Sequence, residues 1–175
     1  MNNTGSDLDK YLQEIDINEL IKELSSQYPA ARRKAHRELV RIGDGAIQDL
    51  VILMHEPDRR LAREAVRILG EMTSPKSPHS LAVSLQDEDP LVRWDATKAL
   101  ANLERGGIVA LLEALVKGYH SAHLRDAARD VLSMLAQNHH LISGEEKVLA
   151  VLNGSYPESE IAIAAQAALD TLKAK

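Results

Sequence analysis

Late in five apolar-periodic segments of the chain an Ala is followed four positions later by Leu, as Ala35/Leu39, Ala65/Leu69, Ala96/Leu100, Ala128/Leu132 and Ala165/Leu169. The successive Ala residues are 30, 31, 32 and 37 positions apart. Self-similarity at this period restricts a chain to stacked copies of one supersecondary unit, because no single copy can bury its own apolar face. The residues around each Ala say what the unit is. Position −4 is apolar in every copy (Ala31, Leu61, Val92, Leu124, Ile161), and so is +7 (Ile42, Met72, Leu103, Leu135, Leu172). Positions −4, 0, +4 and +7 share one side of a 3.6-residue helix, so each copy predicts one buried helical face.

A second apolar-periodic stretch precedes each of these helices: Leu20, Ile21 and Leu24; Ile47, Leu50 and Leu53; Leu81, Val83 and Leu85; Leu111, Leu112 and Leu115; Val148, Leu149 and Leu152. Turn and breaker residues separate the two stretches, among them Tyr28-Pro29, Glu56-Pro57-Asp58 and Asp87-Glu88-Asp89-Pro90. Asp89-Pro90 and Ser77-Pro78 read as an N-cap followed by Pro at the first helical position, and Ser143 with Glu146 reads as a capping box. Gly43/Gly45, Gly70 and Gly106-Gly107 fall at expected helix C-termini, where glycine accommodates a left-handed cap. With no Phe and one Trp, the core must be filled by Leu, Ile, Val and Ala, materials that suit helices packed closely on helices.

The segments Asp89-Pro90-Leu91-Val92-Arg93-Trp94-Asp95-Ala96 and Leu124-Arg125-Asp126-Ala127-Ala128 resemble HEAT repeats of the short type also found in bilin-lyase-like proteins. The resemblance extends over about residues 18–175. It implies an all-α fold: a right-handed α-solenoid of about five stacked helix-turn-helix repeats, near 18–43, 45–74, 76–106, 107–140 and 142–175, forming a single domain over 1–175. An amphipathic stretch over 6–16, with Leu8, Leu12 and Ile15 on one face, is expected to form a short helix that caps the first repeat. The basic end of the last helix suits its dipole, and both ends read as finished. In such repeats an Arg at −3 commonly pairs with an acidic residue of a neighbouring turn; here that position holds Arg32, Ala62, Arg93, Arg125 and Ala162. Arg93 and Arg125 are therefore expected to be structural ladder residues.

The sequence points to binding and not to catalysis. The absence of Cys removes disulfides, thiolate nucleophiles and sulfur-ligated metals together. No H-E-x-x-H arrangement, Gly-rich phosphate loop or nucleophile elbow occurs. Deoxyhypusine hydroxylase, an enzyme with HEAT-like repeats, holds di-iron through repeated His-Glu pairs, but only His55-Glu56 is present here. His120, His123, His139 and His140 lie in or near turns, where solvated histidines are the ordinary outcome. No cofactor or metal is implied, and the chain is expected not to be an enzyme. It lacks a signal peptide and any apolar run near the ~20 residues that span a membrane, so the cytoplasm is its expected location.

The formal net charge is −5, but it is uneven: −4 over residues 1–27, +3 over 28–67 and −4 over 68–175. Positions −2 and +2 of the second helices lie opposite their buried faces. They hold Arg33 and Arg37, Arg63 and Arg67, Trp94 and Lys98, Asp126 and Asp130, then Ile163 and Ala167. Three units thus present a basic stripe ending at the one Trp, on the order of 20–25 Å long for helices 8–10 Å apart. Two readings of Arg33, Arg37, Arg63, Arg67, Trp94 and Lys98 stand side by side. One is an ordinary solvated face on which Trp94 covers a groove between repeats. The other is a concave surface that receives an acidic or anionic segment of a protein partner, with Trp94 as anchor.

The first expectation is therefore a non-enzymatic scaffold or adaptor; the placement of the second helices on the concave side comes from the resemblance. The alternative, also from the resemblance, is an accessory subunit like the bilin-lyase HEAT proteins, holding a tetrapyrrole whose propionates meet Arg33, Arg63 or Arg67. HEAT-like glycosylases bind DNA through a basic concave face, but a nucleic-acid partner is disfavoured by the net charge, by Asp126 and Asp130 in the same row and by the lack of stacking aromatics.

Overall fold

The computed structural model describes residues 16–138 and 140–174. The expected cap over 6–16 lies outside them apart from Asp16, as does His139. Among the described residues every regular element is helical. In chain order these are α1 (Ile17–Leu24), α2 (Pro29–Ile42), a 3-10 turn (Gly43–Ala46), α3 (Ile47–Met54), α4 (Arg59–Glu71), α5 (Ser77–Ser84), α6 (Pro90–Asn102), α7 (Glu104–Gly118), α8 (Ala122–Gln137), α9 (Ser143–Asn153) and α10 (Glu158–Lys173). Each helix packs on its partner in the hairpin and, from α2 onward, on helices of the neighbouring unit, which is the architecture of an α-solenoid.

The repeated pattern places the core. Ala35, Ala65, Ala96, Ala128 and Ala165 are all fully buried, and Leu39, Leu69, Leu100, Leu132 and Leu169 beside them are buried as well. A methyl at the key position lets two helix axes come close, while each Leu removes a side chain from water, worth about 1.5–3 kcal/mol. Leu24, Leu50, Leu81, Leu85, Leu111, Leu112, Leu115 and Val148 from the first helices close the core from the other side. Val83 departs from the expected pattern: it points outward, and Ala82 and Ser84 face inward in its place. The Ser84 hydroxyl donates to the Met54 thioether at 3.1 Å, so the polar atom on the inner face is satisfied.

Three N-caps act through carboxylates. Asp16 accepts the Asn18 N–H, Asp58 accepts those of Arg60 and Leu61, and Asp89 accepts that of Leu91, as the Asp89-Pro90 pair predicts. Two expected caps differ. Ser77 lies inside α5 and donates to the Ser74 carbonyl, with Lys76 at the cap position. Glu145, not Glu146, reaches back to accept the Ile142 N–H at 2.8 Å, and Ser143 is already helical. Gly43 does end α2 in the left-handed region, at φ 65°. Gly70 and Gly107 do a different job from the capping expected of them. A Cβ on Gly70 would lie 2.6 Å from the Ala99 Cβ, and one on Gly107 only 1.9 Å from the Leu100 carbonyl oxygen. They are contact glycines that let α4 approach α6 and let α7 fold back across α6.

Rows of equivalent helices run through the first four units: α3, α5 and α7 pack in sequence on one side, and α2, α4, α6 and α8 on the other. The fifth hairpin exchanges the rows. α9 packs against α8, whereas α10 packs along α7. The exchange follows the 37-residue interval, longer than the 30–32 of the preceding units, and Arg129 fastens it by donating to the Leu152 carbonyl at the end of α9. Ile163 and Ala167 are exposed, but they do not continue the row of Trp94 and Asp126 as the repeat arithmetic predicts.

Candidate interaction surface

The charged row on α2, α4, α6 and α8 divides into parts with different chemistry. Between α2 and α4 lies a cleft of about 520 Å³ lined by Arg32, Arg33, His36 and Arg37 from one helix and Arg60, Glu64, Arg67 and Glu71 from the other, with Leu24 and Pro29 at one end. Both sets have helical spacing, so each helix contributes one stripe. The cleft exists because this seam is less closely packed than the next. Where α4 meets α6, Gly70 faces Ala99; the equivalent residues at α2 and α4 are Val40 and Ile68, larger by several carbons.

Inside the cleft most charges are already paired. His36 stands between two carboxylates, with Nδ1 2.8 Å from Glu64 and Nε2 3.0 Å from Glu71. A carboxylate only accepts, so both contacts are hydrogen bonds only when the ring is an imidazolium. Glu64 also accepts from Arg67. Arg32 donates to the Ser26 carbonyl at 2.7 Å and Arg60 to that of Leu24 at 3.1 Å. Arg33 and Arg37 are exposed at the lining and, among the described residues, form neither ion pair nor hydrogen bond. With five Arg against two Glu, the cleft is a basic concavity with two uncommitted guanidiniums at its surface.

Arg63 and Lys98, from the same candidate set, share one carboxylate, that of Asp95. Arg63 Nε donates to Asp95 Oδ2 at 2.7 Å, and Lys98 Nζ lies 3.0 Å from Asp95 Oδ1. Burial alone raises the Asp95 carboxyl, but the hydrogen bonds and charges of Arg63 and Lys98 outweigh it and hold the group below the usual carboxylate range. The hydrogen bond to Asp95 in turn raises the Arg63 guanidinium. Lys98 also sits 5.7 Å from the Trp94 ring centroid, within cation–π reach. Trp94 is 44% exposed, as its helical position predicts. It borders a separate groove of about 200 Å³ between α6 and α8, opposite His123, Asp126 and Asp130. Trp94 therefore does not line the basic cleft.

Asp95 and Glu64 were not among the sequence-derived candidates, although they decide which cations are free. Both sit at position −1 of their repeats, and each accepts from the preceding second helix: Asp95 from Arg63, 32 positions earlier, and Glu64 from His36, 28 earlier. An acid about one period after a base was the available signal.

The −3 arginines hold backbone. Arg32, Arg93 and Arg125 each donate to the carbonyl six positions earlier, of Ser26, Asp87 and Tyr119, at 2.7–2.8 Å. Each guanidinium thus ties down a carbonyl of the turn just before its helix. Arg125 also pairs with an acid of the next unit, Glu158, at 2.9 Å, as expected; for Arg32 and Arg93, among the described residues, carbonyls stand in place of the expected acidic partners.

No helix among the described residues is long and apolar enough to cross a membrane. A family model for HEAT repeats matches residues 17–101. No curated protein matches the sequence. Among solved structures, an engineered protein from the Northeast Structural Genomics Consortium is 22% identical with a TM-score of 0.39, over 90% of this chain and 79% of that one. A second engineered protein from the same consortium is 19% identical with a TM-score of 0.36, over 92% and 100%. A designed armadillo repeat protein is 16% identical with a TM-score of 0.33, over 90% and 100%. The chain is an α-solenoid that carries HEAT repeats over residues 17–101.

Proposed function

We propose that the protein is a non-enzymatic scaffold that receives an acidic segment of a protein partner in the cleft between α2 and α4. The observation that carries this reading is the pair Arg33 and Arg37. They stand on the lining of a concave basic surface without a carboxylate of their own among the described residues. A guanidinium in that state offers charge-assisted hydrogen bonds to an incoming carboxylate without first breaking an internal pair. Arg67 extends the cleft beyond its contact with Glu64. Arg63, Lys98 and Trp94 lie further along the row, where they would meet the continuation of the bound segment and not its acidic part.

The test is fluorescence anisotropy of a labelled oligoglutamate peptide with wild type and with Arg33→Glu/Arg37→Glu, alongside affinity capture from lysate with the same two proteins. Binding that weakens with salt and disappears in the variant, together with loss of the captured partner, supports the reading. Equal binding to both proteins, or none to either, removes it. A visible spectral change on mixing wild type with a bilin, absent in the variant, would assign the cleft to a tetrapyrrole.

A further inference from the structure

The row of second helices changes sign along its length. Its α2/α4 end is basic, its middle holds Trp94, and its α8 end presents Asp126 and Asp130 side by side on one exposed face. Asp130 forms no ion pair among the described residues, while Asp126 is shared with Arg129 of its own helix at 2.7 Å. Arg93 lines the groove, but its guanidinium donates to the Asp87 and Glu88 carbonyls, and Lys98 beside it is tied to Asp95. Trp94 brings an indole to the same groove, and the Lys98 ammonium near its ring shows that the indole is accessible to a cation. An aromatic face beside two carboxylates is the chemistry that recognises an ammonium or guanidinium.

We infer that the groove between α6 and α8 is a second binding site, for a Lys or Arg side chain, and that the partner segment is therefore bipolar: acidic against α2/α4 and basic against Trp94, Asp126 and Asp130. The bipolar part rests on the function proposed above; the cation site does not. Helices 8–10 Å apart put the two sites, two helix spacings from each other, roughly 16–20 Å apart, a span that one extended segment of about six residues bridges.

The single Trp makes the experiment site-specific, since all indole emission reports on this groove. Three synthetic peptides serve as probes: oligolysine, oligoglutamate, and the two joined by a Gly/Ser linker of about twenty residues, which reaches that span in either order. They are titrated into wild type, Asp126→Asn/Asp130→Asn and Arg33→Glu/Arg37→Glu. All four substituted residues are exposed, and circular dichroism confirms that the variants are equally helical. Oligolysine should change Trp94 emission in wild type and in the arginine variant, with at least tenfold weaker binding to the aspartate variant. The joined peptide should bind wild type at least tenfold more tightly than either half. An unchanged Trp94 signal with oligolysine, or equal affinity for the aspartate variant, overturns the cation site. A joined peptide no tighter than its better half overturns the bipolar partner. If oligoglutamate fails while oligolysine binds as described, the acidic-segment function falls and the cation site stands.

Discussion

Arg63 on α4 and Asp95 on α6 meet at 2.7 Å, 32 positions apart in the chain and on neighbouring helices of the same row. The Asp95 side chain is 3% exposed and that of Arg63 38%, so a buried carboxylate is held by a base that still touches water. Removing the carboxylate lets Arg63 rehydrate, which limits the cost. Asp95→Asn should destabilise the protein by about 1–2 kcal/mol at neutral pH, read from urea unfolding followed by circular dichroism.

The same pair sets a pH dependence. The Asp95 carboxyl is held below its ordinary value, so its contribution is complete above about pH 4, the unfolded-chain value. It is lost as the pH falls through the depressed folded value. The stability gap between wild type and Asp95→Asn should therefore narrow on acidification below pH 4 and not on raising the pH to 9. Unfolding midpoints measured at pH 3, 5, 7 and 9 test this.

Gly106 and Gly107 are adjacent in α7 and should respond in opposite ways. A Cβ at 107 would strike the Leu100 carbonyl, whereas the nearest atom to one at 106 is Pro78 Cγ at 3.5 Å. Gly107→Ala should destabilise by about 3 kcal/mol or more, since backbone must move to admit it. Gly106→Ala should be neutral or stabilise by up to about 1 kcal/mol through helix propensity. Thermal unfolding of both variants separates the two effects.

Glu104 opens α7 with φ at 47°, the single non-glycine residue at positive φ among those described. It is exposed, and no contact accounts for the conformation. Glu104→Gly should stabilise by about 0.5–1 kcal/mol by relieving the left-handed penalty, measured as a rise in the urea midpoint.

Two kinds of arginine occupy adjacent positions of the repeat, −3 for Arg93 and −2 for Arg33. Arg93→Ala removes donors from the Asp87 and Glu88 carbonyls and should cost about 1–2 kcal/mol. Arg33→Ala removes no internal contact among the described residues and should leave the unfolding midpoint within about 0.5 kcal/mol of wild type. Oligoglutamate affinity should fall for Arg33→Ala and not for Arg93→Ala, so stability and binding measured together distinguish the roles.

The sequence by itself determined the helices, the buried face of each and the stacked plan, because these follow from short-range periodicity. Ala at position 0, Leu at +4 and apolar residues near −4 and +7 leave one way to hide a stripe on every hairpin. It also placed Arg33, Arg37, Arg67 and Trp94 on the outward side. Tertiary structure decided what those residues can do. Whether a cation is free depends on a carboxylate about one repeat away, as Asp95 is for Arg63 and Glu64 for His36, and on how closely two helices approach. Gly70 against Ala99 closes one seam, while Val40 and Ile68 mark the open one. The row exchange at α10 was visible only as a 37-residue interval; where that extra length went depended on which helix α10 found to pack against.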